Sequence, residues 1–541
     1  MPAATIYTLA SIFRASRSCP KNGGTKNGST TTSCPSSKGA AARASSKRPK
    51  RLAKDAAPLG RRSRHDRRSG NVSGFELPVG SESALIRDNT ARRIAEFVSH
   101  FQLRGTPNEV CEIAKLHILD GLACMLGGVR EDASRVLRRH ILRNTGSRQA
   151  TLVGTQHRSS AGQAALLNGV AAHVLDYDDA QLATQPSRPA GQQVHPTAPV
   201  LAAALALAEA QGSSGNALLA AYIAGVEVAC RLGDAIDPSH YLDGFHPTGT
   251  LGVFGAAAAC AHLLRLNGEQ TQWALGIAGT FASGLRAQRG TMAKSLSAGR
   301  AAEGGVLAAT LAEHGFTASA NVFDDVQGFF SAAAKNKIDK KLLRFGQPLF
   351  FDKPGVAIKL YPGPGTLHPV LDALIDLVKI HDLKPQQVNL IRVSLNAKAA
   401  LPLVYPNPKN ALEAKFSLPF AAAVALSDRA AGLYQFTEEK LKDRSLQRLM
   451  RRVVLARHGE DRGSTVEVIL TDGQRHRARA TIARGHPKLP ASKEEIESKF
   501  RQCSHGSLGG AATERFLKDF WQIDHVASVA KWLTPLRPGR R

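Results

Sequence analysis

Two neighbouring stretches, APVLAAALALAEAQG (198–212) and NALLAAYIAGVEVACRLG (216–233), are apolar almost all the way round a helical wheel. A helix without a polar face has no side to give to water, so both belong inside a larger bundle. Their many alanines allow close helix approach, and GTLGVFGAAAACAHLLRLNG (249–268) continues the theme. EVCEIAKLHILDGLACMLGG (109–128) repeats apolar residues at three and four and ends at a glycine pair, which reads as a C-cap. No run approaches 18 apolar residues without a polar break. The longest candidate, GVFGAAAACAHLL (252–264), contains a histidine and suits a buried helix better than a membrane span. The chain is expected to be soluble, with no membrane partner.

After about residue 353 the texture changes. QVNLIRVSLNAK (387–398) alternates apolar and polar residues as a half-buried strand does. STVEVILTDGQRHRARATIA (464–483) reads as two strands joined at Asp472-Gly473, a hairpin signal. The predicted fold is mainly α: a helical domain over 83–352, a smaller α+β domain over 353–487, and C-terminal helices over 488–541 that pack back on the helical domain. A chain of 541 residues can bury cores of that size.

Residues 1–82 are a different material. The first 80 contribute +13 of the formal net charge of +27, and they are too poor in apolar residues to offset chain entropy. A disordered basic tail is expected there. The first 54 residues contain no acid, which fits a transit peptide. The expected location is therefore the cytoplasm, or the mitochondrial matrix if that segment is a targeting signal. Basic clusters such as RRSRHDRR (61–68) lack interleaved aromatics, so no nucleic-acid partner is expected. The seven cysteines are scattered without CxxC or CxxH spacing, giving no support to a disulfide framework, a zinc site or an iron–sulfur cluster.

Four segments place polar groups in apolar surroundings. LDYDD (175–179) is followed by a loop to His195-Pro196; DGFHPTGTLG (243–252) carries His246; RGTMAKSLSAGRAAEGG (289–305) carries Lys294 and Arg300; IKLYPGPGTLHPV (358–370) carries Lys359, Tyr361 and His368. Each has a plainer reading. A histidine before proline often just starts a helix, a lysine among glycines is usually solvated, and DYDD can cap a helix N-terminus.

Taken together and in this order, with AKFSLPFAAAVAL (414–426), these segments resemble the MmgE/PrpD family over about residues 85–535. That family includes 2-methylcitrate dehydratases and cis-aconitate decarboxylases. The resemblance implies a large helical domain with a smaller α+β lid, a homodimer, and a site between the domains; the scattered cysteines suggest a route there that needs no cofactor or metal. The resemblance places Asp176, His195, His246, Lys294 and Lys359 in the catalytic cavity; Arg300, Tyr361 and His368, from the same segments, and Phe420 are the substrate-binding candidates. Three positions depart from the family pattern: Ala180 stands where threonine is frequent, Pro364 where cysteine or histidine is, and Phe420 where tyrosine is. The loop from Asp179 to His195 also looks longer than usual.

This residue set suits a small carboxylate substrate. Removing a proton next to a carboxylate builds charge on an anion, which fixed cations such as Lys294 and Lys359 would hold. Histidine is the usual base near neutral pH, and His195 and His246, oriented by Asp176, would divide the acid and base roles. The expected activity is that of a cofactor-independent carbon–oxygen lyase, a dehydratase. A decarboxylase or epimerase of the same family, and a degenerate ligand-binding member, are the alternatives. The three departures predict weak turnover of 2-methylcitrate and of cis-aconitate.

Overall fold

The computed structural model describes residues 89–144, 146–181, 194–397, 399–458 and 463–538. The basic tail and residues 182–193 of the long loop lie outside the described residues.

Six helices lie at the centre of the first core, with others packed round them: α1 (Asn108–Gly128), α2 (Ala161–Val174), α3 (Thr197–Gln211), α4 (Gly215–Ala235), α5 (Gly252–Leu263) and α6 (Ala293–Glu313). Every residue of α3 from Thr197 to Glu209 is buried, as a helix without a polar face requires. α4 is long and apolar enough to cross a membrane, yet residues 218–233 are buried inside the bundle. Small residues set the spacing. A Cβ on Gly225 would come within 2.6 Å of the Gly255 carbonyl oxygen, and one on Gly255 equally close to that of Gly225, so α4 and α5 cross almost backbone to backbone. Overpacking such a crossing costs about 1–3 kcal/mol or more.

The glycine pair at 127–128 is not the C-cap that the sequence suggests. α1 runs through both residues, and the Val129 N–H still closes on the Met125 carbonyl. The reason is packing: a Cβ on Gly128 would sit 1.9 Å from the Ala171 carbonyl oxygen of α2.

The second core belongs to the lid. It holds α7 (His368–Ile380), α8 (Leu418–Asp428) and strands β1 (Val388–Asn396), β2 (Val453–His458), β3 (Ser464–Leu470) and β4 (Arg475–Ala480). The sheet order is β2-β1-β3-β4. β3 and β4 form the hairpin at Asp472-Gly473, where Gly473 has φ 90°. β2 pairs parallel to β1, with Ile391 opposite Val453. A parallel neighbour needs a long crossover, and the connection through α8 supplies it.

The two cores interleave along the chain. Buried apolar residues of the helical body run from Ala91 to Ile358 and again from Ala491 to Leu536, whereas those of the lid run from Tyr361 to Leu470. The returning segment carries α9 (Lys493–Ser504), opened by a Ser492/Glu495 capping box and packed against α1.

Candidate active site

The DYDD segment follows directly on α2 and is held in place by its backbone. Asp176 has φ 51°, a left-handed conformation that few residues other than glycine, asparagine and aspartate adopt. Its N–H donates to the His173 carbonyl at 3.1 Å, and its carbonyl accepts from the Gly363 N–H at 2.8 Å. Ala180 and Ala357 exchange two backbone hydrogen bonds, at 2.8 and 3.0 Å, which lays residues 357–360 beside the acids. Lys359 then reaches the Asp176 carboxylate at 2.7 Å, and Lys294, in the first turn of α6, lies 3.3 Å from the same oxygen.

The other two acids have different tasks. Asp179 accepts from the Thr197 N–H at 3.2 Å, from the Thr197 hydroxyl and from His117 Nδ1 at 2.8 Å, so it caps α3 as the plainer reading of DYDD expects. Asp178 accepts from His173 Nδ1 at 2.7 Å, and its second oxygen has no hydrogen-bond partner among the described residues.

Three imidazoles cluster here. The His173 ring lies 4.9 Å from His195 and 5.4 Å from His246, centroid to centroid. Their partners fix the tautomers. His173 Nδ1 faces a carboxylate, and His195 Nδ1 faces the Asp179 carbonyl at 2.7 Å. His246 Nδ1 faces Ser297 Oγ at 2.7 Å, whose own hydrogen is donated to the Lys294 carbonyl. Every Nδ1 must therefore carry the proton, and every Nε2 presents a lone pair. Burial, with the neighbouring lysines adding to it, pushes all three imidazoles well below the ordinary histidine value. Burial alone would raise the Asp176 carboxyl, but Lys294 and Lys359 hold it well below the usual carboxylate range.

A narrow pocket opens beside this cluster, between body and lid. His173, Asp176, Thr291 and Lys294 line it from the helical side, and Leu412, Lys415 and Phe416 from the lid. The N-terminus of the 21-residue α6 faces it and adds positive potential to that of the lysines. His173, Asp178 and His195 offer donor atoms within 4.8 Å of one another, a spacing that could hold a metal ion, although the two ammonium groups nearby oppose a further cation.

Of the residues singled out from sequence, Asp176, His195, His246, Lys294 and Lys359 are brought together. His368 is buried behind Lys359, its pKa pushed down to about 3 by burial first and then by Lys359 and Lys499. Tyr361 is buried in the lid core, donating to Asp372 at 2.6 Å and accepting from Arg484 at 2.8 Å. None of the four substrate-binding candidates lines this pocket, and for Arg300 and Phe420 the reason is plain. Arg300 stands six residues after Lys294, about 120° away round the helix, and pairs with Glu303 at the surface. Phe420 is fully buried in the lid core, 5.6 Å from the Phe436 ring, and does not line the pocket.

Sequence reasoning missed His173, Lys415 and Lys499. Lys415 stood inside the AKFSLP segment already singled out, whereas His173 sits three residues before Asp176, just ahead of the LDYDD stretch. Lys499, on α9, is fully buried. It pairs with Asp120 at 2.5 Å and donates to the carbonyls of Tyr177 at 2.7 Å and Lys359 at 2.8 Å, bracing both strands of the site.

Comparison with known proteins matches the two-domain fold. The MmgE/PrpD N-terminal domain matches residues 92–341, and the MmgE/PrpD C-terminal domain matches 361–523. Cis-aconitate decarboxylase of Homo sapiens is 29% identical over 80% of this chain and 91% of its own length. The proteins of that name from Mus musculus and Aspergillus terreus are 28% and 26% identical, over 62% and 66% of this chain and 70% and 76% of their own lengths.

Proposed function

The chain belongs to the MmgE/PrpD family, and from that premise we propose that it is a lyase that releases CO2 from a small unsaturated polycarboxylate, cis-aconitate or a close analogue. The observation that carries this reading is the pairing of two lysines on one carboxylate beside three neutral imidazoles, a cluster of which Asp176, Lys294 and His173 line the pocket. Such a site offers fixed cations to an anionic substrate and imidazoles that can carry a proton. The names of the relatives point to decarboxylation as the reaction.

In that reaction the bond to the departing carboxylate breaks, and its electron pair moves through the adjacent double bond to the far carbon. The charge develops next to a remaining carboxylate, where Lys294 and Lys359 can hold it. A proton must then arrive at the far carbon. Binding a polyanion among the imidazoles raises their proton affinity, so one of them takes up a proton with the substrate and delivers it. His173 is the imidazole that lines the pocket.

Dehydration is the second reading. Three Nε2 lone pairs at rest suit proton abstraction, the step with which a hydro-lyase begins. The sequence-based expectation of poor cis-aconitate turnover rested partly on a missing hydroxyl at Phe420, and that side chain does not face the pocket. Incubating the protein with cis-aconitate and with 2-methylcitrate, while following CO2 and product by NMR, separates the readings. CO2 release from cis-aconitate, slowed on the order of 100–1,000-fold in Lys294→Ala, is the expected result. Turnover of 2-methylcitrate without CO2 would establish the hydro-lyase instead.

A further inference from the structure

Lys415 is buried in the lid just before α8, and its charge is poorly provided for. Among the described residues its Nζ makes one long hydrogen bond, 3.5 Å to the Val174 carbonyl, and no ion pair. The other buried lysines differ. Lys115 has Glu112 at 2.9 Å and Asp524 at 3.0 Å, Lys359 has Asp176 at 2.7 Å, and Lys499 has Asp120 at 2.5 Å. An ammonium taken out of water without a carboxylate destabilises the fold. It is retained where a ligand completes the pair.

The place of Lys415 supplies the second observation. It lines the same pocket as His173, Asp176 and Lys294, from the opposite domain. The next residue, Phe416, puts its ring 5.6 Å from Lys294 Nζ, so the lid brings a cation and an aromatic face to the lysine of the body. Two ammonium groups, Lys294 and Lys415, then face each other across the pocket, with Lys359 behind Asp176. Asp176 contacts Lys294 and Lys359, while Asp178 and Asp179 make their hydrogen bonds to His173, His117 and Thr197. The charges of Glu131 and Asp176 reach Lys415, but among the described residues no carboxylate is in contact with it.

We infer that Lys415 is the lid's substrate-binding cation, the side chain that holds a second carboxylate of the substrate. The inference rests on the reading that this pocket takes a polycarboxylate, and it adds the residue that receives the far end. A polycarboxylate bound in this way bridges the two domains, one end at Lys294 and the other at Lys415.

The test is calorimetric, on the full chain, with propane-1,2,3-tricarboxylate as an unreactive tricarboxylate and crotonate as a monocarboxylate. Wild type is expected to bind the tricarboxylate, and Lys415→Met to bind it on the order of 30–100-fold more weakly. Lys415→Arg should lose less, and crotonate should bind equally weakly to all three proteins. The thermal midpoint of unliganded Lys415→Met is expected to match or exceed that of wild type, because a buried unpaired charge has gone. Tricarboxylate binding that is absent in wild type, or unchanged in Lys415→Met, overturns the inference. Decarboxylation alongside unchanged Lys415→Met affinity removes the Lys415 assignment and leaves the reaction standing. Lys415-dependent binding without CO2 release removes the reaction and leaves the carboxylate pocket.

Discussion

Asp176 and Lys359 meet as a buried ion pair at 2.7 Å, although 183 positions separate them in the chain. The pair joins the end of α2 to the segment that leads into the lid, and Lys294 leans on the same oxygen. Asp176→Asn would leave two buried ammonium groups without their counter-charge. Breaking such a pair from one side costs about 3–5 kcal/mol. Urea unfolding should show a loss of that size together with a turnover reduced at least tenfold, and wild-type stability in the variant would count against the pair.

His173→Asn should separate folding from chemistry. Asparagine can still donate to Asp178 from near the Nδ1 position but has nothing at Nε2. A positioned acid–base group contributes about 100–10,000-fold, so kcat should fall within that range while the melting temperature moves little. An unchanged kcat would move the proton-transferring role to His195 or His246.

Stability should decline below neutral pH, and the sign follows from the imidazoles. His173, His195 and His246 have folded pKa values well below their unfolded ones, so between the two values the unfolded chain binds more protons. Their contribution is fully present above about pH 6.5 and is lost as pH falls further. Asp120 and Glu227 work the other way, since burial raises both, Asp120 to about 6 despite Lys499, but His240, His262, His368 and His486 are lowered along with the three site imidazoles. Thermal melts at pH 7.5 and pH 5 should differ by a few degrees, with the acid sample lower.

Phe420→Tyr is a test of depth. Restoring the family's usual tyrosine places a hydroxyl in the lid core, where the ring faces Phe436. An unsatisfied buried hydroxyl costs about 1–3 kcal/mol. Denaturant midpoints should fall accordingly while the ratio of activities on cis-aconitate and 2-methylcitrate stays constant; a changed ratio would return residue 420 to the pocket wall.

Lys499→Met should cost more than the double variant Lys499→Met/Asp120→Asn. The single change strands a buried carboxylate, whereas the double change removes both charges. Equal losses in a double-mutant cycle would show that the carbonyls of Tyr177 and Lys359, and not Asp120, are what Lys499 serves.

Helices α3 and α4 were legible because a helix with no polar face has one place to go, and the DG hairpin because its turn chemistry is local. Asp176, His195, His246, Lys294 and Lys359 were legible because each sits in a short motif. His173 and Lys415 were hidden for a physical reason: their meaning lies in what they meet, and Lys415 meets Val174 across 241 positions. Arg300 was misjudged by helical phase and Phe420 by depth, neither of which adjacency to a motif can supply. The glycine pair at 127–128 shows the same limit, since a close crossing and a helix stop use the same residue.

The interleaving of the two cores inverts the order in which a growing chain can finish its parts. The lid's buried residues form one uninterrupted stretch from Tyr361 to Leu470, so this later-made portion can close as soon as it has been synthesised. The helical body begins earlier but still lacks Ala491–Leu536, and Asp120 waits for Lys499. At about 5–20 residues per second that wait is on the order of 20–80 s. Until then Asp120 has no counter-charge and the body stays open along the face of α1 that α9 covers. The domain made first is the one completed last.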